Sequence, residues 1–137
     1  MNNVSNRIFV DANFFVALFN PSDSLHKEAI RISQRLKKEK KELAISNFIF
    51  LEVVTVVSQK MGKKAALVLG KELLKGKVEI IQIDEKLNRL SWETFKKVVN
   101  KEISFVDCGI LAVIEEEEIG EVLTFDQRLK RVVEKKF

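Results

Sequence analysis

The sequence predicts an α/β fold, a three-layer α/β/α sandwich around a mostly parallel sheet of four or five strands. Short runs of β-branched and aromatic residues alternate with longer segments of helical periodicity, an order typical of parallel sheets covered by helices. The 137 residues include only five Gly and one Pro, too few turn residues for an all-β sandwich. With 46% hydrophobic and 32% charged residues, the composition also excludes a disordered chain.

Length and cysteine content favour one domain in a reducing compartment. A chain of 137 residues has the size of a single domain, and no linker or internal repeat divides residues 1–137. A single cysteine, Cys108, cannot form an internal disulfide, which is typical of a cytoplasmic protein. No apolar run approaches the ~20 residues that cross a bilayer, so we expect no membrane partner. The net charge of +4 permits a polyanionic partner without establishing one.

Four short apolar runs predict the strands of the sheet. The first two are Ile8–Val10 and Leu43–Ile45, both rich in β-branched or aliphatic residues. The third is Val78–Ile83, and the fourth is Val122–Phe125. A closing strand after the last helix would have to fit within Arg131–Phe137 or be absent.

Helices are predicted between these strands and after the last one, because apolar residues recur there at helical spacing. Most begin beside a Ser, Asn or Asp that can cap free N–H groups, and Asn20-Pro21, Gly62 and Gly76 mark helix ends. The predicted helices are Ala12–Phe19, Ser22 or Ser24 to about Lys40, Ser46 or Asn47 to about Lys60, Lys63–Lys75, Asp84 through Val99, Ser104 to about Glu117, and Gln127–Glu134. The expected apolar side of the helix after Asp84 consists of Leu87, Leu90, Trp92, Phe95 and Val98.

Four of the twenty acidic residues stand in apolar surroundings, whereas the others fit solvated helix faces. These four are Asp11, Glu52, Asp107 and Asp126. An isolated carboxylate in such a setting costs several kcal/mol unless it is protonated, paired or bound to a cation. One of them could be a buried helix cap, but four in one small domain indicate a site.

The predicted elements bring these acids toward one edge of the sheet. Asp11 and Asp126 fall just past the carboxyl ends of two strands, where ligand sites lie in parallel α/β sheets. Asp107 lies in the first turn of its helix, where the dipole favours an anion, and Glu52 lies about a turn and a half inside another helix. Because no His cluster accompanies them, these oxygens favour Mg²⁺ or Mn²⁺ over Zn²⁺.

The same residues resemble the motifs of the PIN-domain ribonucleases, and the small size and helix order resemble the VapC-type toxins of toxin–antitoxin pairs. The first motif, a strand-terminal Asp followed two positions later by Asn, Ser or Thr, is matched by Asp11 and Asn13. The helix-borne second acid is matched by Glu52, and the third acid by Asp107. The final motif, Thr-x-Asp after a strand, is matched by Thr124-Phe125-Asp126.

The resemblance implies metal-dependent endonucleolytic hydrolysis of RNA, with Mg²⁺ or Mn²⁺ held by the four acids. Asp11 and Asp107 would be the primary ligands, and Glu52 and Asp126 direct or water-mediated ones. All four are expected to be catalytic, because the bound ion activates water and stabilises charge on the phosphate. The polar residues expected to orient a carboxylate or a bound water are Asn13, Ser104 and Thr124.

The resemblance also implies three partners: the RNA substrate, a second copy in a homodimer, and a small antitoxin protein bound in an apolar groove. The two helices between residues 46 and 75 contain more apolar residues than one inward face requires. The candidates for the dimer and groove surfaces are Val53, Val56, Val57, Met61, Ala65, Leu67, Val68 and Leu69.

Other interpretations stay open at the level of sequence. The four acids could be caps and buried pairs, and the protein could be a non-catalytic PIN-like module for RNA binding or assembly. We expect His26 at the surface, and Cys108 and most Phe residues in the core instead of against RNA bases. The lysine clusters fit solvated helix faces, and some could form a rim that contacts phosphates.

Three other functions are disfavoured by missing motifs. Haloacid dehalogenase-type phosphoryl transfer needs Asp-x-Asp after the first strand, and Asn13 stands at the third position. A response-regulator receiver needs an acidic pair near its first strand, where Asp11 is alone. No Gly-Lys-Ser/Thr sequence exists for a nucleotide-binding loop.

Overall fold

Four parallel strands form the sheet in the structure, a computed structural model that describes residues 6–136. They are β1 (Arg7–Val10), β2 (Glu42–Ser46), β3 (Glu79–Ile81) and β4 (Glu121–Leu123), and they lie in the order β3-β2-β1-β4. The parallel sheet is therefore confirmed, although β3 and β4 are shorter than predicted. Residues 131–136 are helical, so the described chain contains no fifth strand, and Phe137 lies outside the described residues.

Seven helices complete the fold within the described residues. They cover the sheet as the predicted α/β/α sandwich, and the helix pairs in contact include the first with the second, the third with the fourth, and the fifth with the sixth. The helices are α1 (Ala12–Phe19), α2 (His26–Lys38), α3 (Asn47–Met61), α4 (Lys63–Leu74), α5 (Glu85–Lys97), α6 (Phe105–Glu116) and α7 (Gln127–Lys136). None of them is both long and apolar enough to cross a membrane.

Side-chain caps start most of these helices where the sequence predicts them. Asp11 accepts a hydrogen bond from the Ala12 N–H at the start of α1, and Ser46 accepts one from the Ile49 N–H at the start of α3. Asp84 caps α5 in the same way. Gly62 has a φ of +97°, a left-handed value that favours glycine, and it separates α3 from α4.

The start of α2 differs from the prediction. The helix begins at His26, and its N-cap residue, Leu25, has no side-chain cap, so neither Ser22 nor Ser24 has the predicted role. Instead, Asp23 Oδ1 accepts a hydrogen bond of 2.8 Å from the Leu25 N–H. The acidic side chain is the better acceptor in this turn, because it carries a charge.

The hydrophobic core lies between the sheet and the helices. Its central strand, β1, contributes Phe9 and Val10, which are fully buried, and Cys108 of α6 is buried as predicted. The neighbouring strand and α3 supply further fully buried side chains, which are Ala44, Ile45, Ile49, Val53 and Val57.

Two expectations about exposed apolar residues need correction. Trp92 and Phe95 are 52% and 41% exposed and pack against Phe105 of α6, because Leu87 and Ser91 occupy the buried face of α5 instead. Leu90 is also exposed and Val98 is half-buried. Of the eight candidates for the dimer and groove surfaces, the ones that are buried in the core are Val53, Val57 and Leu69. Those that are exposed or half-buried are Val56, Met61, Ala65, Leu67 and Val68.

Candidate active site

Strands β1 and β4 end side by side, and their next residues begin the site. Val10 is aligned with Leu123 in the parallel register, and the Asp11 N–H donates to the Leu123 carbonyl oxygen at 2.9 Å. This pairing holds Asp11 next to Thr124, whose hydroxyl donates to Asp11 Oδ2 at 2.7 Å. The carboxyl edge of the sheet therefore carries the first acid, as the sequence predicts.

The hydroxyl of Thr124 joins the two strand-end motifs. It accepts hydrogen bonds from Asn13 Nδ2 at 3.3 Å and from the Asp126 N–H at 3.0 Å. Asn13 Oδ1 also accepts from the Phe125 N–H at 3.1 Å. Because a hydroxyl has one donor and two acceptor positions, this arrangement uses all the hydrogen-bonding capacity of Thr124. Thr124 and Asn13 are therefore supporting residues that fix Asp11 and Asp126 relative to each other.

The other two acids come from helices. Asp107 Oδ2 accepts from the Ser104 N–H at 3.0 Å, and the Asp107 N–H donates to Ser104 Oγ at 3.1 Å, a capping box. This reciprocal pair fixes the first turn of α6 and leaves Asp107 half-buried. Glu52 projects from α3 and is also half-buried. Ser104 thus supports Asp107 as Thr124 supports Asp11.

One cavity of about 390 Å³ collects all four acids. Its wall includes Asp11, Glu52, Asp107 and Asp126, together with Asn13 and Ser104, whereas Thr124 stands behind Asp11 and is buried. A larger cavity of about 580 Å³ lies between α5, α6 and α7 and contains none of these acids. The four acids predicted from the sequence therefore all line the smaller cavity.

The acids of this cavity act on one another electrostatically. Burial raises the pKa of Asp11, the hydrogen bonds from Thr124 and the Ala12 N–H partly oppose this, and the charges of Asp107 and Asp126 raise the pKa further. Burial also raises the pKa of Glu52, and the charges of Asp11 and Asp107 add to the shift. A cation inside the cavity would relieve this repulsion.

The donor set fits a hard divalent cation, although it is not closed around one. In the part of the chain that the structure describes, no three Asp, Glu, His or Cys side chains are placed to hold a metal ion. One oxygen of Asp107 accepts a hydrogen bond from the Ser104 N–H. One oxygen of Asp126 accepts hydrogen bonds from the Arg128 and Leu129 N–H groups. These bonds use only one oxygen of each carboxylate, so the other oxygen keeps the capacity to bind a cation.

Two charged residues of the cavity wall are not among the predicted site residues, although one of them, Lys60, belongs to a lysine cluster for which a phosphate-contacting rim was one interpretation. Asp23 enters the wall from the connection between α1 and α2, and Lys60 enters it from the last turn of α3. His26 was expected at the surface but is half-buried, with Nδ1 2.8 Å from the Ala17 carbonyl oxygen. This contact ties α2 to α1 and positions the connection that contains Asp23. The sequence Asn20-Pro21 predicted a helix end at this point, but it did not predict that the connection lies close to the four acids.

Comparisons with known proteins identify the family of this chain. The PIN domain family model matches residues 8–135. The 23S rRNA-specific endonuclease VapC20 of Mycobacterium tuberculosis, in strains CDC 1551 and H37Rv, is 30% identical over 120 residues, which cover 87% of this chain and 88% of the relative. The crystal structure of that VapC20, described as a sarcin–ricin loop cleaving toxin, matches with a TM-score of 0.80 and 28% identity, over 91% of this chain and 94% of the other.

Two further solved structures share the fold. A toxin–antitoxin complex from Klebsiella pneumoniae matches with a TM-score of 0.61 and 20% identity, over 87% of this chain and 86% of the other. VapBC2 from Rickettsia felis, bound to a promoter DNA fragment, matches with a TM-score of 0.65 and 20% identity, over 91% and 92%. The family match spans nearly the whole sequence and includes every motif residue from Asp11 to Asp126, which confirms the resemblance. This chain belongs to the PIN domain family.

Proposed function

We propose that the protein, as a single PIN-like domain over residues 1–137, is a metal-dependent endoribonuclease and the cytoplasmic toxin of a toxin–antitoxin pair. The observation that carries the proposal is the cavity in which four carboxylates from four separate segments meet at the carboxyl edge of the sheet. The relative named as a 23S rRNA-specific endonuclease, 30% identical over most of both chains, supports RNA cleavage.

The proposed metal is Mg²⁺ or Mn²⁺, which when bound would supply an activated water and stabilise charge on the scissile phosphate. Asp11 and Asp107 are the proposed primary ligands, and Glu52 and Asp126 the direct or water-mediated ones. Thr124 holds Asp11 through its hydroxyl, and Ser104 holds Asp107 through the capping box. Such fixed ligands reduce the conformational freedom that metal binding would otherwise remove.

The proposed substrate class is a single-stranded or loop segment of RNA. The cavity, with a volume of about 390 Å³, has room for a short segment of one RNA strand but not for a duplex. Because a relative is named for 23S rRNA and its structure for the sarcin–ricin loop, a stem-loop with that rRNA sequence is the first substrate to test.

A non-catalytic PIN-like module for RNA binding or assembly is the alternative. Such a module has no need for four carboxylates in one cavity, where burial and the neighbouring charges raise the pKa of Asp11 and of Glu52. Calorimetric titration of Mn²⁺, combined with an RNA cleavage assay, separates the two functions. The proposal expects saturable metal binding that Asp107→Asn weakens, together with cleavage. RNA binding without metal binding or cleavage would support the module instead.

The proposed protein partners are a second copy of the chain and an antitoxin. Leu67 and Val68 on α4 are 63% and 51% exposed, and we assign this surface to the homodimer. An apolar groove of about 410 Å³ is the proposed binding site for the antitoxin peptide, because it lies next to the acidic cavity and shares Glu52 and Val56 with it. The residues that line this groove are Phe48, Leu51, Glu52, Thr55, Val56, Phe105 and Val106.

A further inference from the structure

We propose that Lys60 binds a phosphate of the RNA next to the one that is cleaved, an inference that rests on the proposed function. The cavity that holds the four acids is lined by five carboxylates, the fifth being that of Asp23, and by one cationic side chain, that of Lys60. A polyanionic strand that enters such a cavity meets repulsion from the wall, so a cation on the wall has a direct effect on RNA affinity.

The geometry of α3 places Lys60 on the same face as Glu52. Glu52, Val56 and Lys60 follow one another at intervals of four residues, and all three line the cavity. Eight residues at 1.5 Å per residue put Lys60 about 12 Å along the helix axis from Glu52. The Lys60 side chain covers part of this distance, which places its ammonium group toward a neighbouring phosphate of the same strand instead of the phosphate held at the acids.

Lys60 is also available for such a contact. Among residues 6–136 no carboxylate forms an ion pair with it, whereas five other surface lysines and arginines are paired with an acid three or four positions away in the chain. The side chain is exposed, so its ammonium group is accessible to a bound RNA strand. Its place in the last turn of α3 does give it a favourable interaction with the helix dipole, which is the structural alternative.

Lys71 provides a matched control for that alternative. It is an exposed lysine in the last turn of the neighbouring helix, α4, and it does not line the cavity. Lys60→Gln and Lys71→Gln therefore each remove one positive charge from the last turn of a helix. Only the first removes a cation from the wall of the acidic cavity. Lys60→Arg keeps the charge and serves as the rescue variant.

The test measures how RNA affinity depends on salt. A labelled single-stranded oligoribonucleotide is titrated with Mg²⁺ present, and every variant also carries Asp107→Asn so that the RNA stays intact. One lost phosphate contact lowers the slope of log K against log salt by about 0.7 between roughly 50 and 200 mM. We expect this decrease for Lys60→Gln, and an unchanged slope for Lys71→Gln and Lys60→Arg. Equal slopes for Lys60→Gln and Lys71→Gln would overturn the inference.

Cleavage kinetics without the Asp107 substitution give a second readout. Lys60→Gln should raise KM by up to about fivefold with kcat unchanged, because a contact away from the reacting phosphate contributes equally to ground and transition states. A melting temperature that falls more for Lys60→Gln than for Lys71→Gln, with no change in KM, would show that Lys60 acts only on the helix. If the parent protein neither binds nor cleaves the RNA, the proposed function itself fails.

Discussion

The hydroxyl of Thr124 donates a hydrogen bond of 2.7 Å to the carboxylate of Asp11, 113 positions earlier in the chain. This bond connects the ends of β1 and β4, so the geometry of the first acid depends on the second strand-end motif. Asp11 is buried, and a buried carboxylate that loses a hydrogen bond keeps the full cost of its desolvation.

Thr124→Val should destabilise the protein and reduce its activity. Valine has nearly the same shape but removes the donor to Asp11 and the acceptor for Asn13 and the Asp126 N–H. We expect a loss of about 1.5–3 kcal/mol in the free energy of unfolding, measured in denaturant, because the acceptor is a charged group. Thr124→Ser keeps the hydroxyl and should recover most of the loss. Equal stability of the Val and Ser variants would contradict this role.

In EDTA, the stability contributed by Asp11 and Glu52 should fall as pH rises above about 4. Both groups have a raised pKa in the folded state, against ordinary values of 3.8 and 4.5, so the folded state binds more protons than the unfolded state in this window. Stability therefore decreases with pH until both acids are ionised. The difference in melting temperature between Asp11→Asn and wild type should grow over the same window. A difference that does not vary with pH would argue against this repulsion.

Mg²⁺ should reverse the order of stability of wild type and Asp11→Asn. In EDTA the variant should melt at or above the wild-type temperature, because the loss of one repelling charge outweighs the one hydrogen bond, from Thr124 or from the Ala12 N–H, that the amide cannot accept. Metal at a hundredfold excess over its dissociation constant stabilises wild type by about 2.7 kcal/mol, and the variant by less.

The matched control for this reversal is Asp84→Asn. Asp84 caps α5 through the Leu87 N–H and does not line the acidic cavity, so its substitution changes a cap but no site residue. Asparagine caps helices well, and Mg²⁺ should not alter the ranking of this variant. If Asp11→Asn behaves like Asp84→Asn in both buffers, Asp11 is a helix cap and not a metal ligand.

Light scattering at micromolar concentration should report a dimer that Leu67→Glu dissociates. Leu67 is 63% exposed on α4, and burying a glutamate in an apolar interface is unfavourable. Val99, which is 97% exposed and lies between α5 and α6, offers a control, since Val99→Glu should leave the dimer intact. A wild-type monomer would remove the dimer from the proposal.

The parts of the site that follow from local chemistry were predictable from the sequence. Strand ends predict where Asp11 and Asp126 lie, and capping signals predict where α5 and α6 begin, since each depends on a few adjacent residues. The apolar surroundings of Glu52 and Asp107 singled these two acids out, and the motifs of the resemblance then matched them. Both line the same cavity as Asp11 and Asp126.

The parts that depend on packing between distant elements were not predictable. Lys60 and Asp23 reach the cavity because α3 and the α1–α2 connection pack beside it, and their own neighbours in sequence are ordinary surface residues. His26 is half-buried because its ring contacts the Ala17 carbonyl oxygen, a contact between two helices. Periodicity also misplaced Trp92, because two faces of α5 contain apolar residues and only the one with Leu87 is buried.

The central claim is that the four acids form the active site of a metal-dependent ribonuclease, and the rate of RNA cleavage tests it most directly. The substrate is the rRNA stem-loop, and the proteins are wild type, Asp107→Asn and Asp84→Asn, each with Mg²⁺ and with EDTA. Asparagine can still accept the Ser104 N–H, so Asp107→Asn keeps the capping box and removes only a ligand charge. We expect wild type and Asp84→Asn to cleave the RNA with Mg²⁺ and not with EDTA. With Mg²⁺, Asp107→Asn should cleave it more slowly by orders of magnitude. Cleavage by purified Asp107→Asn at the wild-type rate would contradict the account.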